Sequence, residues 1–76
     1  MDLRPIFAMN LRRLRHERGF TQEAMANEAH IGRPHLSNVE RGAVYAGLEL
    51  IGKLCEVLNV EPAEFFRPPT PRARKR

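Results

Sequence analysis

The chain has 76 residues, the size of one small domain, and a core that small is marginal by itself. Its net charge is +4, from 13 basic and 9 acidic side chains, but residues 67–76 hold five of the basic ones and no acid, so residues 1–66 sum to −1. The single cysteine, Cys55, excludes an intrachain disulfide, and no apolar run approaches the roughly 20 residues of a membrane span. The N-terminal MDLRPIFAMNLRRLR also lacks the apolar stretch and cleavage site of a secretion signal. A cytoplasmic protein with no membrane partner is expected. Any affinity for nucleic acid must come from where the arginines sit, not from bulk charge.

Helical periodicity runs through the chain. From Phe7, the apolar residues Phe7, Leu11 and Leu14 recur at helical spacing, with Arg12, Arg13, Arg15 and Arg18 on the remaining faces. Gly19 suits the left-handed stop after that first helix. Thr21 reads as the N-cap of a second helix, with Gln22 and Glu23 in its first turn and Met25, Ala26 and Ala29 inward. A break at His30-Ile31-Gly32 leads to a third helix over about residues 33–41, ending at Arg41-Gly42. Residues 43–47 read as a connection. A fourth helix follows, with Leu50, Ile51, Leu54, Cys55 and Leu58 on one side and Asn59 as its C-cap. Pro62 suits the first position of a short fifth helix closed by Phe65 and Phe66. Residues 1–66 then form the domain, and the proline-rich, basic 67–76 reads as a disordered tail. No strand pattern and no repeat is visible.

Counting from Gln22, small or apolar residues fall at the fourth, fifth, eighth, tenth, fifteenth and eighteenth positions: Met25, Ala26, Ala29, Ile31, Leu36 and Val39. This spacing lets two short helices cross steeply about a tight turn, with Ala26 small where the second passes over it. A helix held so projects from the domain and can enter a major groove. TQEAMANEAHIGRPHLSNVERG resembles the helix-turn-helix of the phage repressor and Cro-like transcription regulators, the XRE family. The resemblance extends over about residues 6–66, through LRRLRHERGFTQE, the ERG ending and LELIGKLCEVLNVEPAEFF. It implies an all-α, compact five-helix bundle that works as a homodimer on a palindromic operator in double-stranded DNA. Two residues depart from the pattern. His30 stands where glycine is common, and Gly32 where a serine or threonine cap is common.

With Leu36 and Val39 inward, a helix of about 100° per residue puts Pro34, Asn38 and Arg41 on the opposite side, flanked by His35 and Ser37. Because proline disfavours helical geometry in the residue before it, the helix is expected to begin at Pro34 with Arg33 as its flank. Arg33, Pro34, His35, Ser37 and Asn38 form the candidate base-reading set. Arg33 can pair with guanine O6 and N7, Asn38 with adenine, and the Pro34 ring can pack on a thymine methyl. The plainer alternative is a polar, solvated face. Gln22 matches a family position that donates to a phosphate, and Thr21 and Arg41 join it as phosphate candidates. The resemblance further implies that Arg15 and Glu40 form an ion pair tying the first helix to the third, a structural role. Arg12, Arg13 and Arg18 are expected to be solvated or peripheral.

Val44, Tyr45, Leu48, Val57, Val60 and Phe66 supply more apolar surface than one small core needs, so they are the candidate dimer interface; completing that core is the alternative. His16, His30, His35 and Cys55 form no metal-ligand spacing, and Cys55 falls on the apolar face of the fourth helix. No nucleophile–base pair or phosphate-cradling glycine loop is present. No metal, cofactor, small-molecule ligand or enzymatic activity is expected. A second reading is a protein-binding antitoxin or anti-regulator module, whose main contact is a regulatory protein partner. The basic tail either adds phosphate contacts or is inert.

Overall fold

The computed structural model of the protein describes residues 1–69. α1 spans Arg4–Glu17, α2 Gln22–Ala29, α3 Arg33–Glu40 and α4 Leu48–Leu58; a 3₁₀ helix, Pro62–Phe66, completes the described chain. The fold is thus all-α, with four α-helices rather than five. Only five residues separate Glu61 from Arg67, and both flanks are extended, so the last element closes as a tight 3₁₀ turn instead of a full α-helix. α1 also begins three residues before Phe7, where Pro5 occupies its first turn at no hydrogen-bond cost. No helix is long and apolar enough to cross a membrane.

One core unites the elements. Phe7, Leu11 and Leu14 of α1 meet Met25, Ala26 and Ala29 of α2, Leu36 and Val39 of α3, Leu50, Leu54 and Leu58 of α4, and Phe65. Phe65 stacks on Phe7 with ring centroids 4.8 Å apart. Ala26 is 1 % exposed, which leaves no room for a larger side chain at the α2–α3 crossing.

All four helices end the same way. A single left-handed residue follows each: Gly19 (φ 76), His30 (φ 57), Gly42 (φ 74) and Asn59 (φ 56). The next N–H then turns back to the last helical turn: Phe20 to the Arg15 carbonyl, Ile31 to Ala26, Ala43 to Asn38 and Val60 to Cys55, at 3.0–3.1 Å. This closure satisfies carbonyls that a helix end would otherwise orphan, and it reverses the chain within two residues. Two of the four positions carry a side chain, His30 and Asn59, and Asn is the better suited to left-handed geometry.

A buried polar residue fastens the end of the domain. Asn10, 1 % exposed, donates from Nδ2 to the carbonyls of Ile6 (3.0 Å), Phe65 (2.9 Å) and Arg67 (2.9 Å). The fold's grip therefore reaches Arg67, one residue past the expected domain limit of 66. Of the tail 67–76, residues 70–76 lie outside the described residues.

Candidate nucleic-acid interface

α3 starts at Arg33, with Gly32 as N-cap in extended geometry (φ −71, ψ 142) and Pro34 in the first turn. The expected start at Pro34 is therefore corrected by one residue. Gly32 offers no capping side chain; its carbonyl accepts from the Leu36 N–H at 3.1 Å, and this bond fixes the first turn. α2 is capped differently: Thr21 Oγ1 accepts from the Ala24 N–H at 3.0 Å. The hydroxyl proton of Thr21 remains available to a ligand.

Arg33, Pro34 and His35 are exposed on the outer side of α3, and Ser37 and Asn38 are half-buried beside them. Gln22, Arg33, Pro34 and Ser37 share one open depression, which joins the start of α2 to the start of α3. Arg41, exposed at the C-cap of α3, donates to Asn38 Oδ1. That bond occupies one of the two acceptor sites of the Asn38 oxygen and leaves its amide nitrogen without a partner among the described residues.

Behind this face lies a buried charged cluster. Arg15 Nε is 2.6 Å from Glu40 Oε2, and Arg15 Nη2 is 3.1 Å from Glu40 Oε1; the side chains are 11 % and 3 % exposed. The bidentate geometry keeps both charges hydrogen-bonded, which is what makes burial tolerable. Arg15 Nη1 also donates to the Phe20 carbonyl at 2.8 Å, just before α2. Gln22 Nε2 donates to Glu40 Oε1 at 3.0 Å, so this half-buried side chain is tied inward as well as facing the depression.

Arg12 and Arg18 are exposed and Arg13 is half-buried, so these arginines are peripheral as expected, but each also holds a partner within the fold. Arg12 donates to the Glu40 carbonyl at the end of α3. Arg18 donates to the Leu58 carbonyl at 2.8 Å, at the end of α4. Arg13 reaches Asn10 Oδ1 at 3.1 Å, Glu17 at 3.4 Å and Glu64 at 3.5 Å. Cations at helix C-termini also complement the negative end of the helix dipole. Arg4 is held by Asp2 at 2.9 Å and lies over the Tyr45 ring at 4.5 Å. Among the described residues, Arg33 is the one arginine with no hydrogen-bond partner in the protein.

The candidate dimer residues separate into two groups. Val44, Tyr45, Leu48 and Phe66 line an apolar groove with Leu3 and Ile51, and Tyr45, Leu48 and Phe66 are 68 %, 87 % and 38 % exposed. Val57 and Val60 do not line that groove; like Val44, they are partly buried against the core. Cys55 is half-buried against the same core, and burial raises its thiol pKa, which keeps the thiol protonated and unreactive.

Comparison with known proteins agrees with this geometry. A family described as a helix-turn-helix domain matches residues 6–65. A hypothetical transcription factor of Neisseria meningitidis serogroup B is 33 % identical over 73 residues, 96 % of this chain and 69 % of the relative. An uncharacterized HTH-type transcriptional regulator of Sinorhizobium fredii is 32 % identical over 90 % of this chain and 88 % of its own. Among solved structures, the restriction-modification controller protein C.AhdI of Aeromonas hydrophila superposes with a TM-score of 0.79 at 38 % identity, over 86 % of this chain and 97 % of that one. The α2–α3 pair with its exposed α3 face, and the span of these matches, lead to one conclusion: the chain belongs to the XRE family of helix-turn-helix, DNA-binding transcription regulators.

Proposed function

We propose that this regulator acts in the cytoplasm as a homodimer that reads a palindromic operator, with α3 in the major groove of each half-site. The observation that carries the reading is Arg33. Every other described arginine is committed to a carboxylate, an amide oxygen or a main-chain carbonyl, while Arg33 stands exposed and unpartnered at the first turn of α3. A guanidinium there can grip guanine O6 and N7 in bidentate fashion. Pro34, His35, Ser37 and Asn38 extend the base-reading set, and Gln22, Thr21 and Arg41 would hold phosphates at its rim. The apolar groove of Tyr45, Leu48 and Phe66 is the surface proposed to pair two protomers. The basic residues beyond Pro69 would add phosphate contacts, because residues 1–66 carry no net positive charge of their own.

Selection of bound sites from random DNA tests the reading. A palindromic site and affinity that falls steeply with salt are expected. Arg33→Ala should weaken binding about tenfold or more and relax selectivity mainly at one base pair of each half-site. Salt-insensitive binding with no sequence preference would overturn the operator reading and favour a protein partner instead.

A further inference from the structure

We propose that Glu40 is a positioning residue for DNA binding: the carboxylate that closes the buried pair with Arg15 also aims the Gln22 side chain at the phosphate backbone. The inference rests on the reading of Gln22 as a phosphate contact. A carboxylate only accepts hydrogen bonds, so the bond from Gln22 to Glu40 Oε1 fixes which end of the Gln22 amide faces inward. The nitrogen is turned toward Glu40, and one of its two protons is spent there. The other proton is left for an outside acceptor, in an orientation the first bond fixes.

Glu40 is itself immobile. Its side chain is 3 % exposed and takes two bonds from Arg15, while Arg12 holds its main-chain carbonyl. A rigid series of bonds therefore runs from α1, through Glu40 at the end of α3, to the first residue of α2 at the depression shared with Arg33 and Ser37. Arg15 neutralises the carboxylate, so Glu40 can sit behind a phosphate site without repelling the phosphate. A freely rotating glutamine would have to be ordered on binding; this one is ordered beforehand.

The test is a double-mutant cycle on affinity for a short duplex of arbitrary sequence at low salt, where phosphate contacts dominate. Gln22→Ala and Glu40→Gln should each weaken binding by about fivefold, and the double variant should bind no worse than Gln22→Ala alone. Losses that multiply in the double variant would overturn the positioning role. Wild-type affinity in Gln22→Ala would overturn the phosphate reading itself, and the proposal with it. If Glu40→Gln does not fold, the Gln22 side-chain amide of the wild-type protein decides by NMR. Two widely separated proton resonances, one moved downfield, are expected; a pair averaged to unstructured values would overturn the proposal.

Discussion

At His30 the chain takes a left-handed turn, φ 57 and ψ 45, with a β-carbon in place. That geometry costs a side-chain-bearing residue roughly 1–2 kcal/mol, which glycine largely escapes, although glycine loses more entropy on folding. His30 is exposed and its N–H closes back on Asn27, so no packing is forfeited by removing its ring. His30→Gly should therefore stabilise the domain by about 1 kcal/mol and raise the melting temperature by about 4–8 °C in a scanning-calorimetry trace. A lower melting temperature would show that the imidazole contributes something its exposure does not reveal. Gly42 is the opposite case. A Cβ there would meet Arg4 O and Ala8 only at ordinary contact distances, so φ 74 itself is the reason for glycine.

Among the elements, the two ends of the fold are fastened by carboxylates. Asp2 accepts from the Arg4 N–H and guanidinium at the start of α1, and this lowers its pKa to about 2. Glu64 is lowered by Arg67 and, less strongly, by Arg13. For a carboxylate whose folded value is depressed, the stabilisation is full above the unfolded value and disappears as pH falls through the folded one. Amide-exchange protection at Arg4 should thus hold at neutral pH, decline below about 4 and be lost near about 2, before the core opens. Protection that is flat over this interval would contradict the assignment. The helices themselves were readable in the sequence, because Phe7, Leu11, Leu14, Met25, Ala26, Leu36 and Val39 repeat at the period of a buried face. The roles of Arg12, Arg13 and Arg18 were not. Apart from the local bonds of Arg13 to Asn10 and Glu17, their partners lie 28, 51 and 40 residues away and include main-chain carbonyls, which any residue supplies and no motif announces. The one-residue error at the start of α3 has a similar origin. Gly32 took the cap, so Arg33 became helical despite the following proline.

For the whole molecule, the question is how so small a core is completed. Leu48 is 87 % exposed and Tyr45 68 %, beside Phe66 in a groove with no protein to cover it within the described chain. If the proposed homodimer uses this groove, Leu48→Glu should leave the melting temperature at low concentration nearly unchanged, since the side chain touches little in the protomer. The same variant should sediment as a single 8.8 kDa species and bind a two-half-site operator no more tightly than a half-site duplex, whereas the wild-type protein should gain from the second half-site. Unchanged self-association would move the dimer contact elsewhere. The sequence marked Val57 and Val60 for the same surface. Apolar character is identical in a core and in an interface, and sequence alone does not show that both pack against the core.

The grip of Arg12 on a carbonyl of α3 has a further consequence, for how this protein can diverge. α1 holds α3 through a main-chain atom and through one side chain, Glu40, and the core holds it through Leu36 and Val39. The letters at 33, 34, 35, 37 and 38 lie outside those anchors. On the proposed reading of α3 as the base-reading helix, they would be free to be rewritten as a block, and one scaffold would be retargeted to a new DNA sequence by grafting an outer surface rather than by refolding a domain.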